Sequence, residues 1–487
     1  MFEIFLDKEE QKKYMFIKKL EESDSFTLSI NEMMNELQTS NYVFKRLTQS
    51  LLMDFQRFDL DKLCAIEIID QNIMLSSKEH NIAETLFELY IQESIKYRLV
   101  LQAFLQTYKS LNEFALTESI SYPIAHKSQS ELNKELQKLG FKINRRFQVE
   151  AENEVELRFW ATELLLKIEK NNFLIYEKSD DFFINNQQKK LHFVNTTLFQ
   201  KLHIKHTLFV IDTRIRHHYF IENDCEFEII DNKLLPKELI NTSRLFLERF
   251  QLSENILWNE IYALSRYYFS LESLTYPLEL PSTFTISRWN SSFISALQKK
   301  FPRIWNYPEE TNQLYKEIFY VHIDLLNKGK IHNYFINAEQ VEYFKNRFPE
   351  IHAFLTIYIS NLKETEPFLH DRRKYLFLNY MMTIITVLPL EAILDPVYIY
   401  IDFSQGRFYN HFIETLVTNF ANIGAIVTPV VDRADIVITD SRRIATNVDK
   451  EFVFLLNLPQ ATDLEFLFQK IVDTRWWKKH ESQSELR

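Results

Sequence analysis

The sequence predicts a mainly α-helical, multidomain chain that closes with a small α/β module. Its 487 residues exceed what one hydrophobic core accommodates, so about three to five domains of ordinary size are expected. Apolar residues recur at helical spacing over most of the length, and the whole chain holds only 4 glycines, which disfavours sheets built on tight turns. From Asp395 onward, short β-branched runs replace that periodicity.

Composition narrows the class. Apolar residues make up 46% and charged residues 25%, the balance of a globular chain. The formal net charge is −10, so any contact with nucleic acid must rest on a local basic face. Scarce glycine also argues against a glycine-rich phosphate cradle, and neither a cofactor nor a metal is expected. Cys64 and Cys225 stand far apart in apolar contexts, outside any CxxC pair, and read as reduced core thiols. The opening MFEIFLDKEEQKKY lacks the apolar stretch of a signal peptide. The longest apolar run, 375–394, is broken by Asn379, Pro389 and Glu391. A soluble, cytoplasmic protein without membrane contact is expected.

Residues 1–22 read as a charged amphipathic helix whose apolar side is Tyr14, Phe16, Ile17 and Leu20. Ile30, Met33, Met34 and Leu37 then repeat at helical spacing. Gln38-Thr39-Ser40 is a polar break that can cap the next helix, whose inner face is Phe44, Leu47, Leu51 and Leu52. Two helices joined by so short a turn form a helix-turn-helix pattern. Residues 64–69, the pair Asp70-Gln71 and residues 72–75 follow as a β-hairpin, the position of a wing. After a helical stretch over 80–109 the pattern returns. A helix is predicted over 111–120 with Ser121 and Tyr122 in the turn. A second follows over 123–139, started by Pro123 and stopped by Gly140. FKINR and FQVEA supply a second wing.

Residues 155–390 are almost wholly helical by periodicity, and Pro277–Pro281 is the best linker between two stretches that each suit a small bundle. The final segment alternates β-α-β-β-β-α: VYIYID, a helix over 409–422, AIVTPVV, ADIVITD, FVFLLN and a helix from about 463 to about 473, with a frayed tail after Trp477.

The first helix-turn-helix presents Ser40, Asn41, Tyr42, Lys45, Arg46 and Gln49 away from its apolar face. Asn and Gln match adenine edges and Arg matches guanine, while Lys and the capping hydroxyl suit phosphates. The second offers Tyr122, His126, Lys127, Ser130 and Lys134 on its helix and Lys142, Arg145 and Arg146 on its wing. Paired arginines there suit phosphate or minor-groove contact. Glu131 and Glu135 dilute that surface, so this helix orients the protein more than it reads bases.

The doubled winged start, the phrase SISYPIAHKSQSELNKELQKLGFKI and the following EVELRFW resemble the Mga/AtxA-type virulence regulators. The resemblance implies a winged helix-turn-helix domain over 1–76 and a second, Mga-type one over 77–160. PRD-like helical domains over 161–280 and 281–393 and an enzyme IIB-like domain over 394–487 would follow. It implies a homodimeric activator of virulence or carbohydrate-uptake genes that binds double-stranded promoter DNA. It also implies modulation by a phosphocarrier protein of the sugar phosphotransferase system, which phosphorylates histidine. LHIKHTLFVIDTRIRHHYFIEN is similar to the family's histidine-bearing segment. His206, then His203, are the first candidates, and His322 in YVHIDLL is the candidate of the second bundle. His192, His217, His218, His332, His352 and His370 read as structural or merely exposed. Enzyme IIB domains of this type carry a phosphorylated cysteine after their first strand. Here IDFSQGRFYNH has none, and Ser404 reads as a helix cap, which suggests an interaction or sensing module.

No HExxH, GxSxG or Walker A pattern occurs, so an enzyme is not expected. The rival readings are a phosphotransfer-sensing module that docks proteins and an RNA-binding antiterminator. The acidic charge favours the first, and the helical N-terminus argues against the second.

Overall fold

The computed structural model describes residues 2–23, 25–77, 81–168, 197–221, 235–271, 285–334, 336, 338–420, 424–442, 450–455 and 458–484. The chain divides into two compact units, one of residues 1–224 with 237–274, the other of 225–236 with 275–487. Pro277–Pro281, His192 and Cys225 lie outside the described residues.

The first unit begins with helix α1 (Lys8–Glu22), started by a capping box in which Asp7 and Glu10 exchange side-chain and backbone hydrogen bonds. Tyr14, Phe16, Ile17 and Leu20 are all buried, as the periodicity predicts. A short strand β1 (Thr27–Ser29) follows, which the sequence pattern does not predict. Helices α2 (Ile30–Glu36) and α3 (Asn41–Arg57) come next, joined through Gln38 at φ 48 and Ser40, whose hydroxyl caps α3. Strands β2 (Cys64–Ile69) and β3 (Asn72–Ser77) form the hairpin, with Ile69 opposite Asn72. Asp70 and Gln71 have φ 46 and 65, both positive, as a two-residue turn matched to strand twist requires. Strand β1 pairs antiparallel with β3, giving the order β1-β3-β2. A helix, a short strand, two helices joined by a tight turn and a hairpin thus gather on one three-stranded sheet.

The arrangement recurs with a smaller sheet. Helices α4 (Ile82–Glu93), α5 (Ile95–Leu105), α6 (Leu111–Thr117) and α7 (Tyr122–Lys138) lead into strands β4 (Phe141–Ile143) and β5 (Val149–Ala151), which pair antiparallel. The predicted helix over 111–120 stops at Thr117, because the chain must reverse through Ser119 at φ 57. Tyr122, placed in the turn by the sequence, opens α7. Pro123 sits in that helix's first turn, and Gly140 at φ 79 ends it.

The two winged units share a frame. Asn81, at φ 73, provides no side-chain cap for α4. Glu21 of α1 supplies it instead, accepting from Ile82 N at 2.5 Å and Ala83 N at 3.3 Å. Asp54 of α3 receives Lys13 Nζ at 2.5 Å and the Tyr90 hydroxyl of α4 at 2.6 Å. The rings of Tyr14 and Phe87 meet across the same seam, tilted, with centroids 4.8 Å apart. A helical bundle completes the unit: α8 (Glu154–Ile168), α9 (Leu198–Arg216), α10 (Lys237–Leu247) and α11 (Glu254–Ser270).

The second unit holds α12 (Thr285–Lys300), α13 (Pro308–Lys328), α14 (Ala338–Arg347), α15 (Pro349–Thr365) and α16 (Arg373–Val387) around an aromatic core that includes Phe293, Tyr358 and Tyr380. Strand β6 (Val397–Asp402), helix α17 (Arg407–Phe420), strands β7 (Ala425–Val427), β8 (Ile436–Thr439) and β9 (Glu451–Phe454) and helix α18 (Ala461–Ser484) follow in the predicted alternation. The sheet is parallel with order β7-β6-β8-β9. The predicted frayed tail is helical as far as Ser484. Arg475 pairs with Glu350 at 2.7 Å and Lys478 with Asp435 at 2.5 Å, which hold that helix down. Among the described residues no helix is long and apolar enough to cross a membrane.

Candidate nucleic-acid interface

Helix α3 is two-faced. Phe44, Leu47, Thr48, Leu51 and Phe55 are buried, and Asn41, Tyr42, Lys45, Arg46 and Gln49 are exposed opposite them, with Ser40 exposed at the cap. Leu52, predicted on the inner face, is 39% exposed. One position beyond Leu51 turns about 100° around the helix, and Thr48 and Phe55 take the inner positions instead. Tyr42 is 78% exposed. Arg46 Nη2 lies 3.7 Å from Glu9 across a solvated gap, too loose to fix it. The first hairpin has different chemistry: Glu67 precedes the turn and Asp70 is part of it, both exposed, and Ile68 and Ile69 are half exposed.

On α7 the buried side is Ala125, Leu132 and Leu136, while Tyr122, His126, Lys127, Ser130 and Lys134 are exposed. His126 lies against Tyr122 with ring centroids 6.0 Å apart. Glu131 draws on two cations, at 4.0 Å from Lys127 and 3.4 Å from Lys96, so this face is less basic than its lysines suggest.

The second wing is built with more care. Asn133 of α7 binds both backbone groups of Ile143, donating to O at 3.0 Å and accepting from N at 2.8 Å. Asn144 Oδ1 accepts from Arg146 N at 2.8 Å and Gln148 N at 3.0 Å, folding the tip locally. Phe147 takes φ 59 and buries its ring against Phe114, centroids 5.4 Å apart. Arg145 and Arg146 are thereby left exposed at the tip. Lys142 pairs with Glu150 at 3.1 Å, and the Asn144 hydrogen bond and Lys142 hold the Glu150 carboxyl below its ordinary range. Asn133, Asn144 and Phe147 are anchors that sequence reading missed; the only signal was an asparagine beside a paired arginine.

The histidines separate by burial. His203 on α9 has Nδ1 2.7 Å from the Tyr267 hydroxyl and Nε2 3.0 Å from Glu163, with 15% of its side chain exposed. His206 is 1% exposed, with Nδ1 2.8 Å from Leu202 O, and burial lowers its pKa. His322 on α13 is fully buried, with its ring nitrogens 2.6 Å from Asn290 Oδ1 and 2.6 Å from the Tyr380 hydroxyl. Burial pushes its pKa down to about 3. A phosphoryl donor has no access to His322 in this arrangement. Ser404, expected to cap the next helix, binds Asp440 instead, through its Oγ at 2.5 Å and its N at 2.9 Å, and the helix begins only at Arg407.

Two helix-turn-helix elements with exposed polar and basic side chains describe a class, the helix-turn-helix proteins. Within it, residues 79–165 match the Mga helix-turn-helix domain family, a span that covers α4 through most of α8. The likeness is that of this segment, well under half of the chain. No curated protein matches the chain.

Proposed function

We propose that the protein is a promoter-binding transcription regulator, active as a homodimer, that contacts double-stranded DNA through both winged units. The carrying observation is that two tied helix-turn-helix units each expose polar and basic side chains on the face opposite their cores. The first unit reads bases through Asn41, Arg46 and Gln49 on α3, with Ser40, Tyr42 and Lys45 at phosphates. The second binds phosphates or the minor groove through Arg145, Arg146 and Lys142, and α7 orients it through Tyr122, His126, Lys127, Ser130 and Lys134. With few base-reading groups, much of the preference falls to DNA shape.

The finer parts of the reading are these. The bundles are PRD-like domains over 161–280 and 281–393, the α/β module over 394–487 is enzyme IIB-like, and the winged units span 1–76 and 77–160. The regulator activates virulence or carbohydrate-uptake genes in the cytoplasm and answers to a phosphocarrier protein. His203 is the favoured acceptor, since it keeps an exposed edge while His206 and His322 are buried.

The test is a titration of the full chain against the DNA upstream of its neighbouring genes at two salt concentrations, beside the Lys45→Ala/Arg46→Ala variant. Loss of two charge contacts is expected to weaken binding and to reduce the slope of log K against log salt by about 2. Unchanged affinity and slope would remove α3 from the interface. Equal competition by heparin would favour a protein-docking module.

A further inference from the structure

The second wing is held from below by buried charges. Glu154, at the start of α8, takes Arg214 of α9 in a two-pronged pair, Nε to Oε1 at 2.8 Å and Nη2 to Oε2 at 2.7 Å. The third nitrogen of Arg214 donates to the Val149 carbonyl of strand β5 at 2.8 Å. Its guanidinium lies 3.7 Å from the centroid of the Tyr219 ring, and the Tyr219 hydroxyl donates to Gln148 at 3.3 Å. Arg158 bridges Glu154, at 2.9 Å, to Glu260 of α11, at 2.6 and 2.9 Å. Arg214 and Glu260 are each 1% exposed and Arg158 is 6% exposed. Two guanidiniums face two carboxylates, so the buried charge balances, and removing one member strands another.

The same three helices meet a second time. His203 of α9 touches Glu163 of α8 and Tyr267 of α11. From His203 to Arg214 the helix advances about 16 Å. Between the two levels lie the buried Ile204, Leu208, Ile211 and Leu157. A close-packed core of this kind passes a displacement along instead of absorbing it. The lower contact is a bidentate pair, made or broken over a small shift, and it holds the backbone of β5.

We infer that Arg214 and Glu154 are positioning residues for the second wing, and that the His203–Glu163–Tyr267 contact sets the wing through them. The inference rests on the DNA-binding reading. It predicts that loosening the upper contact alters wing order and DNA affinity, and that the effect vanishes once the lower pair is cut.

The experiment is a double-mutant cycle in the full chain, with Glu163→Gln above, Glu154→Gln below, and both together. Arg214→Lys is a second lower variant that keeps the charge and loses the bidentate grip. Readouts are DNA affinity by fluorescence anisotropy and hydrogen exchange of the 141–151 amides without DNA. Glu163→Gln is expected to shift Kd by about fivefold or more and to speed exchange in the wing. In the Glu154→Gln or Arg214→Lys background the same change should shift Kd less than about twofold. If the wild type binds no DNA, the functional reading falls, and the exchange data still decide the coupling. If the wild type binds and the two changes multiply independently, the coupling is wrong. If both lower variants leave affinity and exchange unaltered, the positioning role is wrong.

Discussion

His322 and Lys45 mark the two ends of what a single side chain contributes. Lys45 is exposed on α3. His322 is an interior group held neutral: its pKa falls from the ordinary 6.5 to about 3. Between those values the unfolded chain takes up a proton that the folded chain refuses. The stabilisation is therefore complete above 6.5 and drains away as pH falls through that window, at about 1.4 kcal/mol per pH unit. The wild type should lose more melting temperature between about pH 7 and about pH 5 than a His322→Gln variant. Parallel losses in both would show that another group carries the acid sensitivity. The exposed positions of α3 and α7 were legible because helical spacing separates two faces of each helix. The buried ion cluster was not: Arg158 and Glu260 are 102 positions apart, and a charged residue on an apolar helix gives no sign of its partner.

Elements were legible where the pattern was long or the turn chemistry special. Asp70-Gln71 and Gly140 fall where the hairpin and helix end require positive φ. Strand β1 was missed because it is three residues long, and only its pairing with β3 makes it a strand. The ties between elements were illegible for the same reason as the buried charges. Asp54 is the sharpest case, since it anchors the reading helix α3 to α1 and α4 at once through Lys13 and Tyr90. Asp54→Ala leaves Lys13, 5% exposed, with only Glu9 at 3.5 Å, and the lost charge-assisted hydrogen bonds should cost about 1.5–3 kcal/mol. Glu22→Ala, which removes partly exposed pairs to Lys18 and Lys19, should cost less than about 1 kcal/mol. Urea unfolding of the two variants checks the ranking, and equal midpoints would mean that packing alone carries the seam.

Over the whole molecule, the order of helical, winged and α/β parts was legible from composition shifts and periodicity. The assembly of the winged pair was not, because it depends on a cap borrowed across the seam by Glu21 and on a shared carboxylate. Two winged units on one frame have no slack between them. Should both bind DNA, such a pair would measure its target as well as touch it. If both units contact one promoter, the stretch of duplex between their footprints has a fixed phase. Inserting about 5 base pairs there turns one footprint to the far side of the helix, and inserting about 10 restores its facing but moves it about 34 Å away. Binding through both units should fail for either insertion, and footprints should shrink to a single unit's protection. Full protection of a lengthened site would mean that the seam opens. On the proposed function, the borrowed cap on α4 would make the protein a gauge of spacing, and promoters would be sorted by their geometry before any base is read.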